Sequence, residues 1–312
     1  MDNLDLILDT LFNEYLPSIQ YIEESRKYWL VRTESGAYYN DYSNGNYIAI
    51  GWDEFSDIND FSDETMPEEM AKTILEYYPD KQPGRIYNQI RKFIFDIKIG
   101  DVVMIPNENS KLINFGIVTS DFISRKNNKN DTCPFIKSKS VEWVTSINRD
   151  KLDPYLFKMM QAHQTINSAN EYAHFIDRTM YSFYEKNNKS YLILPVTKKS
   201  DIPAYDLSQF INSITNLIPT INKVFEDEIE YNRRDLDIKI NVQSPGYVEL
   251  KSDDKKLVPR VLSLLKFHIS NNNSIDEVLK KTTPEKRELL RKEVSELRES
   301  FELVKANLPK SL

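Results

Sequence analysis

Glycine is scarce in this chain, seven among 312 residues. Neither a phosphate-cradling glycine-rich loop nor a Gly-x-Ser-x-Gly nucleophile elbow is present, so two common routes to nucleotide binding and acyl transfer have no sequence support. The single cysteine, Cys133, excludes an internal disulfide framework and a thiolate zinc site. The three histidines, His163, His174 and His268, do not fall at the three- or four-residue spacing of a helical zinc pair. A net positive charge is also lacking. With 41 basic and 48 acidic side chains the formal charge is −7, so any contact with nucleic acid must come from a local patch rather than a global field. No apolar run approaches the length of a membrane span. The start, Met1-Asp2-Asn3-Leu4-Asp5, is acidic and unlike the basic start of a signal peptide, which predicts a cytoplasmic protein with no membrane partner.

What is present is a set of short apolar segments separated by turns. Residues 28–33, 46–52, 102–106, 113–119 and 139–144 read as strands, with helices over 66–79 and 83–96 between them. Residues 4–24 carry Leu4, Ile7, Leu8, Leu11, Phe12 and Tyr15 at helical spacing, and 150–186 read as two helical pieces. The loop Asn187-Asn188-Lys189 marks a boundary. Beyond it come a strand at 191–196, a helix over 206–228 interrupted at Pro219, a hairpin around Ser244-Pro245-Gly246 and a helix over 257–270. After Asn271-Asn272-Asn273, residues Leu290, Val294, Leu297, Phe301, Val304 and Leu308 form a short heptad seam, suited to docking on the same chain or to self-association. The expected class is α+β: an N-terminal helix (1–25), a small β-barrel with flanking helices (26–187), a small α+β unit (190–272) and a C-terminal helical tail (273–312).

Five pieces of the first half stand in a recognisable order: the Trp29 strand, Ile50-Gly51-Trp52-Asp53, Ile99-Gly100-Asp101-Val102-Val103, Gly116-Ile117-Val118 and Val141-Glu142-Trp143, followed by Gln164-Thr165-Ile166. On these pieces residues 26–185 resemble an EVE-type domain of the PUA-like superfamily, as found in modification-dependent restriction and other prokaryotic defence proteins. The resemblance implies a barrel that binds a modified base flipped out of DNA or RNA. The physics agrees: stacking on an aromatic ring is worth about 1–3 kcal/mol per base, and polar contacts along the ring edge separate a substituted base from an ordinary one.

Trp52, at a strand end after glycine, is the expected stacking wall, and Asp53 the acceptor for an exocyclic amine. Tyr38, Tyr39 and Tyr42, in a Ser/Gly/Asn-rich loop, are expected to close over the ligand, with Phe122 and Trp143 as further pocket aromatics. Trp29 reads as core. Arg125, Lys126 and Lys129 form the expected phosphate-contacting loop. Glu249-Leu250-Lys251 with Asp235 or Asp237 matches the acidic-x-Lys form of a metal-dependent nuclease, a pattern that short sequences meet by chance. No catalytic residue, metal or cofactor is assigned. The expectation is a non-enzymatic sensor acting through an effector polypeptide. Two alternatives are a regulator binding a free nucleotide or other planar ligand, and an interaction protein that oligomerises through its C-terminal helix.

Overall fold

The structure is a computed structural model and describes residues 19–125, 132–225, 229–241, 246–269 and 284–308. The chain forms two compact units. Ser25–Met180 is one, and the segments before Ser25 and after Met180 together make the other. Strand β1 (Gln20–Ile22) therefore belongs with the C-terminal half. The helix expected over 4–24 is a strand at these three residues, and its remainder up to residue 18 lies outside the described residues. Among the described residues no helix is long and apolar enough to cross a membrane.

The 25–180 unit runs β2 (Tyr28–Val31), α1 (Tyr39–Gly45), β3 (Tyr47–Ile50), α2 (Glu68–Tyr77), α3 (Pro83–Arg91), β4 (Val102–Pro106), β5 (Leu112–Val118), β6 (Ile123–Ser124), β7 (Lys137–Asn148), α4 (Tyr155–Met159), β8 (Ile166–Ser168) and α5 (Ala173–Met180). A five-residue π-helical turn, Lys92–Asp96, continues α3. The sheet order is β3-β7-β5-β4-β2-β8, with β6 also on β7. Among the described residues of this unit only β2 and β4 pair in parallel, and every residue of both is buried, so they read as continuous apolar runs. The sheet is curled and open: among the described residues no pairing joins β8 back to β3.

β7 shapes the curl. Its first four residues pair with β3, and Val141–Asn148 pair with β5. A register shift at Phe115/Gly116 bends the β5–β7 pair. A Cβ on Gly116 would lie 2.5 Å from Val141 Cγ1 and 2.6 Å from the Trp143 ring, so only glycine lets the strands close here. At the other end of the sheet the buried Asp101 carboxylate accepts from Lys27 N, Lys98 N and Trp29 Nε1, each at 2.9 Å. Gly100 beside it has φ +89°, and Trp29 is core. Ile74 of α2 and Ile86, Tyr87 and Ile90 of α3 pack into the core beside Val103, Ile105 and Val31. From α5, Asp177 accepts from Tyr28 Oη at 2.6 Å.

The second unit contains β1, β9 (Phe183–Lys186), β10 (Lys189–Val196), α6 (Ala204–Thr215), α7 (Leu217–Phe225), β11 (Asp237–Asn241), β12 (Gly246–Ser252), α8 (Leu257–Ile269) and α9 (Pro284–Val304). Its sheet order is β1-β9-β10-β12-β11. The asparagines read as a boundary make a tight hairpin instead: Asn187 and Asn188 have φ of 53° and 59°, and Lys186 pairs with Lys189. Asparagine tolerates this left-handed backbone, which is why a two-residue turn closes here. Leu192, Leu194, Val248 and Leu250 lie on the sheet face that packs on Phe210, Ile214, Val261 and Leu265. Pro219 falls in the first turn of α7, after a break at Asn216, where a missing N–H costs nothing. From the heptad seam, Leu297, Phe301 and Val304 are buried in this same core. The side chains of Leu290 and Val294, and the residues Ser244 and Pro245, lie outside the description.

Two substitutions test these packings. Gly116→Ala is expected to lower unfolding free energy by about 1–3 kcal/mol, from overpacking against β7, in a urea titration. Phe301→Ala, which empties the ring site against Phe210 (centroids 4.9 Å apart), is expected to cost about 3–5 kcal/mol.

Candidate functional site

At the end of β3 the chain makes a forced turn. Trp52 has φ 61°, a left-handed backbone that costs a bulky L-residue about 1–2 kcal/mol. Gly51 precedes it because a Cβ there would sit 2.9 Å from the Phe135 ring. The turn is held by Lys137 of β7, whose buried ammonium donates to the Trp52 carbonyl at 2.8 Å and to Asp53 Oδ1 at 3.3 Å. Phe55 N donates to the same carbonyl. Burial pushes the Lys137 pKa down, and the Asp53 carboxylate opposes that shift.

Trp52 lines a cavity of about 560 Å³. Its other walls come from three places. Tyr78, at the C-terminal end of α2, donates to Glu54 Oε2 at 3.0 Å; burial and this acceptor push its phenol up to about 12. Gln82, Arg85, Ile86 and Gln89 recur at spacings of three and four, which places them on one face of α3. His163, Gln164 and Thr165 form the third wall. That segment is anchored by Arg32: its guanidinium donates to Ala162 O at 3.0 Å, and its backbone N–H donates to Thr165 O at 2.8 Å. The buried amide of Gln89 accepts from Ile166 N at 2.6 Å and donates to Gln164 Oε1 at 3.2 Å. A second cavity of about 820 Å³ adjoins the first, sharing Gln82, Arg85, Gln89 and Gln164 and adding Asn88 and Lys92.

The residues singled out in the sequence separate accordingly. Trp52 lines the cavity. Asp53 is turned to Lys137 and Ile136 N, so it positions the Trp52 turn rather than facing a ligand. The three tyrosines do not form a loop lid. Tyr39 and Tyr42 lie on α1 and are buried, donating to Asn114 Oδ1 at 2.5 Å and Ala49 O at 2.7 Å, while Tyr38 packs edge-on against Phe135. Their spacing is helical, and that outweighed the local Ser/Asn/Gly composition. Trp143 donates to Tyr42 O at 3.1 Å and covers Gly116, and Phe122 packs against the core. Arg125 stacks on Tyr47 at 4.0 Å and donates to the Phe135 and Cys133 carbonyls, a strut between loops. Lys126 and Lys129 lie outside the described residues.

Tyr78, Arg85 and Gln89 were not singled out, and His163 and Gln164 were noted without a ligand-facing role. Arg85 and Gln89 share one face of α3, a signal that has meaning only once the cavity is seen. In the second unit, Lys251 pairs with Asp237 at 3.2 Å, and Glu249 stands opposite Lys239 across the sheet. Among the described residues no three His, Cys, Asp or Glu side chains are grouped to hold a metal ion.

Comparison with known families adds one match. Residues 27–170 match a family described as a domain of unknown function, DUF8426. That stretch contains every residue lining both cavities. No curated protein and no solved structure matches the chain.

Two outcomes are expected from these contacts. Asp53→Asn leaves the Lys137 ammonium without its carboxylate. It should lower unfolding free energy by about 1–3 kcal/mol and shift tryptophan emission, both read in one fluorescence denaturation series. The raised Tyr78 phenol favours the protonated form in the folded state, so its contribution is complete below the ordinary value of 10.0 and is lost as pH rises toward about 12. Stability of the parent protein should therefore fall more steeply across that window than stability of Tyr78→Phe.

Proposed function

We propose that the Trp52 cavity receives a single nucleobase swung out of a nucleic-acid strand and distinguishes a modified base from an ordinary one. The observation that carries this reading is the Trp52 turn itself. A costly backbone conformation is maintained by a buried lysine, and it leaves the tryptophan on the wall of a cavity edged by carboxamides. An aromatic wall gives sequence-tolerant stacking, and the amides of Gln82 and Gln164 offer donors and acceptors for the ring edge. A site of this size falls in the usual range for a small planar ligand. The resemblance to an EVE-type domain of the PUA-like superfamily agrees with it, and a place in restriction or phage defence rests on that resemblance alone.

The test is binding of duplexes and single strands carrying modified cytosine or adenine, against the same strands unmodified. Preference for one modified base is expected, and Trp52→Ala should weaken that binding by about 5- to 150-fold, the equivalent of one base stack. Equal weak binding of all strands would remove the proposal.

A second reading, a free nucleotide or other planar ligand, is favoured by the net charge of −7, because a free ligand requires no long phosphate track. A thermal shift with mononucleotides that exceeds the shift with any strand would select it.

A further inference from the structure

We propose that the second cavity is a phosphodiester track, in which α3 and the turn after it hold the backbone of a single nucleic-acid strand whose base occupies the first cavity. This rests on the reading of the Trp52 cavity as a base pocket and adds where the strand runs. Arg85 lines both cavities, Lys92 lines the second, and Lys81 lines the first. None of the three has an ionic or hydrogen-bonded side-chain partner among the described residues, whereas the neighbouring Arg91 is paired with Asp96 at 3.0 Å. No acidic side chain lines the second cavity; its remaining walls are amides and Gly84. The surrounding sequence is polarised in the same sense. Residues 81–98 hold Lys81, Arg85, Arg91, Lys92 and Lys98 against Asp96 alone, while residues 53–80 hold ten acids against Lys72.

Arg85 and Lys92 are seven residues apart, about 10 Å along the helix, a spacing at which each can meet a phosphate of its own. The spacing therefore favours successive phosphates of a strand over a lone mononucleotide. Asp80 lines the first cavity and not the second, so phosphate is disfavoured at the first cavity and drawn toward the second. The shared Arg85 would meet the phosphate nearest the base, and Lys92 one further along.

The experiment uses the full chain and a short fluorescein-labelled DNA single strand with a central abasic site, so that base recognition contributes nothing. Affinity is measured by anisotropy from about 50 to about 200 mM salt. Three cations on a single strand predict a log–log salt slope of about −2, and Arg85→Gln/Lys92→Gln should make it shallower by about 1.4 and weaken binding at the low-salt end by at least about tenfold. A matched loss of two charges elsewhere on the unit, Lys72→Gln/Lys98→Gln, should leave the slope in place. An unchanged slope in the Arg85/Lys92 variant, an equal loss in the Lys72/Lys98 control, or no binding of the abasic strand at low salt overturns the track. Displacement of the strand by free 5-methyldeoxycytidine monophosphate as effectively as by unlabelled strand also overturns it, in favour of a single-phosphate site. The two proposals fail separately. An intact strand bound no better than the abasic one, with the slope change present, removes the base reading and leaves the track. A preserved preference for the intact strand with no slope change does the reverse.

Discussion

Burying an ammonium costs several kcal/mol unless its protons meet acceptors, and β7 buries two. Lys137 and Lys139 are two residues apart on a strand, so both point to the same face. Lys137 reaches the Trp52 carbonyl and Asp53; Lys139 reaches the carbonyl of Ile94 in the turn that continues α3. One strand thus fixes the tryptophan at one side of the cavity and the helix that forms another. Burial lowers the pKa of both lysines, as expected of charges held for geometry at some expense in stability. The left-handed Trp52 backbone persists because these contacts over-determine it.

The cavities are polar for a reason of position. They lie at the edge of the core, where Ile86 still packs inward while Gln82 and Arg85 on the same helical face reach solvent. Gln89 is the exception, a buried amide that links α3 to the start of β8 through Ile166 N. It ties the floor of the site to the sheet, as Arg32 ties the His163–Thr165 wall to β2. The Trp52 turn, α3 and the His163–Thr165 wall are therefore held from three different strands, β7, β8 and β2.

Much of the fold was legible because its strands are buried. Tyr28–Val31, Tyr47–Ile50 and Val102–Pro106 are unbroken apolar runs, and α2 and α3 announce themselves by prolines at or beside their starts. What escaped was short or polar. Ile166–Ser168 is three residues with one buried side chain, and Phe183–Lys186 continues the apparent periodicity of the helix before it. Of the candidate site, Trp52 was legible from its glycine neighbour and strand end. The roles of Asp53, Tyr39 and Tyr42 were not, because each depends on a tertiary partner: Lys137 and Asn114, far along the chain, and the peptide carbonyl of Ala49, seven residues on, as α1 folds back on β3. Polar residues such as Gln89 carry no mark of their own until tertiary structure places a cavity beside them.

The parallel pairing of β1 with β9 sets an order on how this chain is assembled. Neighbouring parallel strands require a crossover, and here the crossover is the entire 25–180 unit. During synthesis β1 emerges early and waits, without its hydrogen-bonding neighbour, until a whole other domain has been made. Closing so long a loop is slow unless the intervening residues have already condensed, which shortens the effective tether. β1 thus joins the host sheet only after the inserted domain and β9 have been made, and damage to the inserted domain reaches the host as a delay in maturation even where no side chain of the host has changed.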